Sequence, residues 1–372
     1  MNILLCTPID KGKEKPQGGI PVWARNILAY YEQQHDESLS IEVVPFDRKT
    51  SVDDGMSVLK RGFNGITEYY EAYREAEKRL REEHFDVAHF TTSAQLGLFR
   101  DFVVLRMARR MGAKTLLHLH FGRVPELAEQ NNWEWKLLKK VMKLADGVIA
   151  IDNQSYETLQ NNGIKHACFL PNPLSEPIIK EIEEESGKIE RIPNKLLFVG
   201  HVIETKGVLE LVKACKQMNG IELHIVGKCL PEIKDRIVEL AGGEPAWLKL
   251  RGEMTHAEVI REMLSAGMFV LPTYTEGFPN VILESMACGC PIVTTPVGAI
   301  PEMLDIHGEE KCGVCVKVKD VEDLRNAIQY MLDNPEYANS IGAKAQKRVN
   351  EMYAMPKVWD NLCAIWKWSL EQ

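Results

Sequence analysis

Short apolar runs alternate with amphipathic stretches along almost the whole chain. Ile3–Thr7 reads as a strand, followed by a Gly-rich turn and a helix from about Pro21 to Gln33. Ile41–Phe46 is a second strand, and the charged stretch from about Thr67 to His84 carries its apolar residues at helical spacing. Val87–Phe90, Thr115–His118 and Gly147–Ile151 follow as further strands. Short continuous apolar runs joined by helices predict parallel strands covered on both faces. The pattern then pauses: PNPLSEP and IIKEIEEESGKIERIPNK combine prolines, a glycine and an acidic run, which is linker chemistry. It restarts with Leu196–Gly200, Glu222–Gly227, Leu248–Arg251, Met268–Pro272, Ile292–Thr295 and Gly313–Val316 as strands. A closing amphipathic helix from about Pro356 bears Trp359, Trp366 and Trp368, read as core anchors.

The pattern therefore predicts an α/β protein of two doubly wound, Rossmann-like domains facing each other across a cleft. The first spans 1–172, a linker 173–194, the second 195–350, and the helix of 351–372 is expected to pack back on the first domain. In such sheets ligands bind beyond the carboxyl ends of the strands, so the strand-to-helix turns are where chemistry belongs.

Composition supports this frame. With 372 residues, 45% apolar and 26% charged, the chain is long enough for two domains with their own cores. No apolar run approaches the roughly 18–20 residues of a membrane span. MNILLCTPID reaches Asp10 too soon for a secretory signal, so a cytoplasmic location is expected. The net charge of −8 is uneven: residues 1–172 hold 23 Lys+Arg against 23 Asp+Glu, leaving 22 against 30 for the rest. A general nucleic-acid binder should show a basic excess, and there is none. Basic clusters do occur in the first half, at Lys11, Lys13 and Lys15, at Arg48 and Lys49, at Lys60 and Arg61, and at Lys136, Lys139, Lys140 and Lys143. They read either as solvated faces or as a patch for anionic lipid or a phosphorylated acceptor. Nine scattered cysteines fit reduced, buried thiols. Cys288, Cys290, Cys312 and Cys315 have the number for a zinc site, but they sit where small apolar residues are wanted, and no metal is expected.

Absent motifs narrow the chemistry. No Gly-x-Gly occurs, nor GxxxxGK[ST], HExxH or GxSxG, which removes dinucleotide dehydrogenases, P-loop nucleotidases and two hydrolase classes. No two aspartates stand two apart, so a paired-Asp metal clamp for a nucleotide diphosphate is lacking. The most informative stretch is FVLPTYTEGFPNVILE, residues 269–284. A buried strand ends at Pro272, a loop presents Glu276 and Gly277, and Pro279 and Asn280 open a helix whose first amides and dipole suit an anion. Glu284 lies one turn beyond Asn280. Two carboxylates beside an amide-lined turn fit a polyhydroxylated, phosphorylated ligand, that is, a nucleotide sugar.

Here the sequence resembles the retaining glycosyltransferases of the GT-B fold, family 4 (glycosyl transferases group 1), of the polysaccharide-biosynthesis type. Glu276 and Glu284 match their E-x7-E pattern, and LLFVGHVIETKGVLELVKAC looks like their strand, loop, Lys-Gly and helix. IELHIVGK, LKLRGEMTHAEVIREMLSAGMFVLP and TPVGAIPEM match further segments of the second half. GGIPVWARNIL resembles the family's Gly-Gly loop, FDVAHFTTSA its "DVVH" strand, TLLHLHFG its His-Gly strand end and LPNPL its "PNG" turn. The resemblance covers nearly the whole chain.

It implies roles residue by residue. Glu276 would bind hydroxyls of the donor sugar and Glu284 those of the ribose, with Gly277, Phe278, Pro279 and Asn280 shaping the turn. Lys206 would neutralise the departing diphosphate, assisted by amides at Gly18 and Gly19. His120 aligns best with the histidine at the reacting sugar; His118 is the near rival, since residues two apart on a strand face one side. His89 reads as structural or acceptor-side, and Asn172 as a residue shaping the backbone between domains. Where the family usually has Arg, this chain has His201. Either Lys206 carries the diphosphate nearly alone, or His201 becomes protonated when donor binds.

The implied reaction uses no cofactor beyond a UDP- or GDP-type nucleotide sugar and no metal, and retains the anomeric configuration. The acceptor would be a glycan or a polyprenyl-diphosphate-linked glycan in bacterial surface polysaccharide synthesis, with peripheral contact at the inner face of the cell membrane. Two rivals of other classes are a nucleotide-sugar 2-epimerase and a non-catalytic sugar-nucleotide or glycan-binding protein.

Overall fold

The computed structural model describes residues 1–10, 18–47 and 58–372, apart from the side chains of 58–66. The clusters at 11–15 and 48–49 and the side chains of Lys60 and Arg61 thus lie outside the described residues. The chain divides into two compact units, Met1–Asn172 with Val358–Gln372, and Pro173–Lys357.

The first unit is built on β1 (Asn2–Thr7), β2 (Ser40–Pro45), β3 (Val87–Thr92), β4 (Lys114–Leu119), β5 (Gly147–Ala150) and β6 (Ala167–Phe169). They form one parallel sheet in the order β2-β1-β3-β4-β5-β6. All six residues of β3 and five of six in β1 are buried, because helices cover both faces and leave no solvent side for alternation. β6 is the one strand the pattern did not predict: it has three residues, of which only Ala167 is fully buried. The helix expected over Pro21–Gln33 runs Gly19–Gln34, and the one over Thr67–His84 runs Val58–Glu82.

The second unit repeats the plan with β7 (Ile192–Val199), β8 (Glu222–Val226), β9 (Leu248–Gly252), β10 (Ala266–Leu271), β11 (Ile292–Thr294) and β12 (Val314–Cys315). Its parallel order is β12-β11-β10-β7-β8-β9. The strand order reverses between β7 and β10, and ligands of open parallel sheets gather at such a switch point.

Two boundaries differ from expectation. Residues 173–194 are not a bare linker, because Glu176–Glu185 is a helix of the second unit that packs on the helices His256–Ser265 and Asn280–Ala287. Pro177 sits harmlessly in its first turn, and Ile178 and Ile182, one turn apart, give the acidic run an inner side, with Ile182 buried. At the other end, residues 351–352 finish the helix Pro335–Met352, and the closing helix is Met355–Leu370.

The tryptophans of that closing helix lie in the first unit. Trp359 and Trp366 are buried and meet edge to face at 5.9 Å, while Trp359 also touches Tyr30 at 5.6 Å. Trp368 lies over Gly147, where a Cβ would come 2.8 Å from its ring. The Trp366 indole N–H donates to His89 Nδ1 at 3.0 Å. Trp366→Ala should therefore lower stability by about 3–5 kcal/mol. Trp366→Phe keeps most of the volume and removes the donor, and should cost about 1–3 kcal/mol in urea unfolding.

Candidate functional site

In the second unit the site forms on the two loops that leave the strands at the switch point. β7 runs out through Gly200 and His201 into a short turn, Glu204–Lys206, closed by Gly207 in the left-handed region (φ 71°). A Cβ on Gly207 would lie 1.9 Å from the Pro272 carbonyl oxygen, so only glycine lets the loops after β7 and β10 meet this closely. Tyr274 N–H then donates to the Thr205 carbonyl at 2.8 Å, and Thr295 Oγ1 donates to the Thr273 carbonyl at 2.5 Å. From the far side Gly298 (φ 56°) presses on the Glu276 and Gly277 carbonyls, where a Cβ would stand 2.4 and 2.7 Å away. Ala299 N–H donates to the Gly277 carbonyl at 2.9 Å.

This backbone contact sets the chemistry. Lys206 Nζ donates to Glu276 Oε1 at 2.5 Å, with the lysine side chain 25% exposed and the glutamate 11%. The sequence had assigned these residues separate jobs, and the structure bonds them to each other. A cation and a carboxylate that share a half-open position can exchange partners when a phosphate and hydroxyls arrive.

Beyond Gly277, Phe278 is buried against Tyr353, ring centres 5.7 Å apart, and Pro279 precedes the helix Asn280–Ala287. No side chain caps that helix, so its first amides stay open to a ligand. Asn280 Oδ1 is shut from solvent with no hydrogen-bond partner among the described residues, an acceptor still to be satisfied. Glu284 lies one turn on, largely covered, and its Oε1 stands 3.3 Å from His256 Nε2. The hydrogen bond to Glu284 raises the His256 pKa above its ordinary value of 6.5. Sequence reasoning missed His256. The available signal was Thr255-His-Ala-Glu258, a capping box that starts the helix His256–Ser265 and holds the histidine at its first position. His201 is exposed and makes no ion pair among the described residues.

In the first unit, Gly18 (φ 95°) and Gly19 open the helix Gly19–Gln34, and a Cβ on either would meet nothing within 4 Å among the described residues. One turn in, Trp23 is buried among three histidines, its ring 4.8 Å from His120, 5.0 Å from His118 and 5.8 Å from His89. His89 Nε2 and His118 Nδ1 are 3.2 Å apart. The Trp366 indole can only donate, so His89 Nδ1 accepts and its proton sits on Nε2, which donates to His118 Nδ1. The remaining proton of neutral His118 is then on Nε2, which is buried without a partner among the described residues. His120, just past β4, lies with its ring centre 4.0 Å from that of His118 at a tilt of 38°, and is half-buried with its Nε2 also unpartnered among the described residues. Burial lowers the pKa of His89 and His120 to about 3, and burial with help from its neighbours holds that of His118 well below 6.5. The three rings are neutral at physiological pH. Asn172, at the junction of the units, is buried with an unpartnered Oδ1.

The structure thus bonds Lys206 to Glu276, sets Glu284 beside His256, and gathers His89, His118 and His120 around Trp23. Gly18, Gly19 and the histidines belong to the first unit, the other site residues to the second. Burial pushes the thiols of Cys290 and Cys312 up to about 11 and that of Cys315 to about 12. Among the described residues no three His, Cys, Asp or Glu side chains converge as metal ligands.

The buried histidines make the first unit acid-sensitive. Each binds a proton near 6.5 when unfolded but only far lower when folded, so its contribution is intact above 6.5 and is lost as pH falls from there toward 3. The limiting slope is about 1.4 kcal/mol per pH unit for each ring, and His120→Gln should flatten the fall in urea midpoint below pH 6.5. His256 has the opposite sign: its pairing with Glu284 stabilises below 6.5 and is lost as pH rises through the raised folded value. NMR titration of the His256 ring should give a pKa above 6.5 that falls back in Glu284→Gln.

Comparison with known proteins shows the family. The second half, residues 179–348, matches the family described as glycosyl transferases group 1, and the first half, residues 18–175, matches glycosyltransferase family 4. An uncharacterised glycosyltransferase of Methanocaldococcus jannaschii is 24% identical over 87% of this chain and 84% of its own. A capsular polysaccharide biosynthesis glycosyltransferase of Staphylococcus aureus, CapM, is 24% identical over 52% of this chain and 53% of its own. Anabaena HepE, solved in complex with UDP-glucose, superposes with a TM-score of 0.68 at 18% identity, covering 98% of each chain. With a family match on each half and a shared two-domain fold, the chain belongs to the family 4 glycosyltransferases of GT-B architecture.

Proposed function

We propose that the protein moves a sugar from a UDP- or GDP-type nucleotide sugar onto a glycan or polyprenyl-diphosphate-linked glycan, retaining the anomeric configuration and using no metal. The reading rests above all on the Lys206–Glu276 bond at the switch point of the second sheet. A diphosphate leaving group gathers negative charge as the glycosidic bond breaks, and Lys206 is the cation poised to meet it. Glu276, released from the lysine, accepts from sugar hydroxyls; Glu284 accepts from the ribose; the open first amides of the helix that begins at Asn280 take the remaining polar atoms. Front-face departure, with the acceptor hydroxyl attacking from the side the diphosphate leaves, needs no protein nucleophile. A neutral His120 accepts or donates a hydrogen bond at the reacting sugar. The UDP-glucose held by HepE and the capsule synthesis named for CapM support the donor class and a role in bacterial surface polysaccharide synthesis. The reading includes action at the inner face of the cell membrane.

Thermal stabilisation against UDP-, GDP-, ADP- and dTDP-sugars tests the donor reading. A donor present at about 100 times its Kd should add about 2.7 kcal/mol, and Glu284→Ala should abolish the shift. Lys206→Ala should cut kcat/KM by roughly 10- to 150-fold, the worth of about 1.5–3 kcal/mol in a charged hydrogen bond. Turnover in EDTA should be unchanged. A donor converted without any acceptor would point to epimerisation, and unchanged turnover in Lys206→Ala would remove the leaving-group role.

A further inference from the structure

The helices Gly97–Arg110 and Trp133–Leu144 lie side by side in one layer of the first unit, and their outward faces share a composition. On the first, the exposed positions are Phe99, Val103, Arg106, Arg109 and Arg110. On the second they are Trp133, Lys136, Lys140 and Lys143. Neither face has an exposed acid. The acids of these helices, Asp101 and Glu134, are buried and bonded to Arg100 and Arg123.

The apolar side chains sit at the amino ends of both helices and the cations follow. Leu96, 62% exposed, precedes the first helix, with Phe99 at 54%, Val103 at 50% and Trp133 at 55%. Glu134 ties the two ends together, accepting from Gln95 N–H at 2.8 Å and from Arg123 at 2.6 and 3.0 Å. The turn that carries Leu96 is fixed by two successive left-handed residues, Ala94 and Gln95. Arg109 has a partner in Asp146, but Arg106, Arg110, Lys136, Lys140 and Lys143 form no ion pair among the described residues. Five unpaired cations in a chain of net charge −8 form a local inversion of sign.

We propose that this face docks on the surface of an anionic phospholipid bilayer, with Leu96, Phe99, Val103 and Trp133 entering the headgroup region and the cations meeting lipid phosphates. Phe and Trp prefer the membrane interface, and each nearby Lys or Arg adds electrostatic attraction to anionic lipid. The proposal rests on the reading above only in that a lipid-linked acceptor gives the docking its purpose.

Cosedimentation of the full chain with vesicles tests it. Binding is expected to vesicles containing about 30 mol% phosphatidylglycerol and not to pure phosphatidylcholine, and should weaken with salt. Lys136→Glu with Lys140→Glu should reduce it at least about tenfold, as should Phe99→Ser with Trp133→Ser, while Lys344→Glu with Lys347→Glu, in the other unit, should not. All these positions are exposed, and unchanged Tm and donor-induced stabilisation would show that fold and donor site persist. No vesicle binding, equal binding to both vesicles, unaltered binding by the first two variants, or heparin binding in place of vesicle binding would each overturn the proposal. Vesicle binding without any nucleotide-sugar stabilisation would leave the surface standing and remove the donor reading.

Discussion

At the carboxyl edge of the second sheet, backbone rests on backbone. Gly207 lies against the Pro272 carbonyl, Gly298 against those of Glu276 and Gly277, and Gly227 against that of Gly200, where a Cβ would stand 1.8 Å away. All three have positive φ, so each answers two demands at once: a left-handed backbone and no side chain. Side chains could not replace these contacts, because they would hold the loops after β7 and β10 apart. At that wider spacing Lys206 could not bond Glu276. The electrostatics of the candidate donor site thus depend on the sterics of the backbone that carries the charges.

The first unit solves a different problem. Three histidines and two tryptophans bring many ring nitrogens into a volume with little water, where charge is expensive. Neutrality removes most of that cost, and the Trp366–His89–His118 chain then has one consistent direction for its protons. Among the described residues the chain ends in an unpartnered nitrogen on His118, with those of His120 and the Trp23 indole also unpartnered beside it. Buried polar atoms left without partners are uncommon in a settled core and belong more naturally to a place where a ligand completes the network.

Much of this could be read from the chain. Eleven of the twelve strands follow from buried apolar runs, and the turn at Glu276–Glu284 follows from a strand, a glycine and a proline in that order. What escaped did so for physical reasons. β6 is too short to show a pattern, and the helix Glu176–Glu185 hides its isoleucines among acids and prolines. The separate assignments of Lys206 and Glu276 could not reveal their bond, since it joins residues 70 apart through a loop contact. His256 was masked by its helix start, where a capping box explains Thr255 and Glu258 and leaves the residue between them unremarked. The resemblance favoured His120 over His118, but residues two apart face one side and both stayed candidates; the packing separates a ring bonded to His89 from one that is half-buried just past the strand.

Charge was the least legible property, and the reason is range. A net charge of −8 and an even balance over residues 1–172 show no overall basic excess for a polyanion. Yet screening confines interactions between exposed charges to about 8 Å at physiological salt, so a surface is judged by what lies within a few side chains of the contact. The sequence shows the lysines of residues 136–143 as one cluster, and periodicity suggests that they share a helix face. It does not show that Arg106 and Arg110 come from a neighbouring helix, or that Asp101 and Glu134, the acids of these two helices, turn inward to private partners. Burying Asp101 and Glu134 in paired form removes negative charge from the surface without changing composition. An acidic chain can in this way present a cationic face, because folding sorts charges by depth while the total stays fixed.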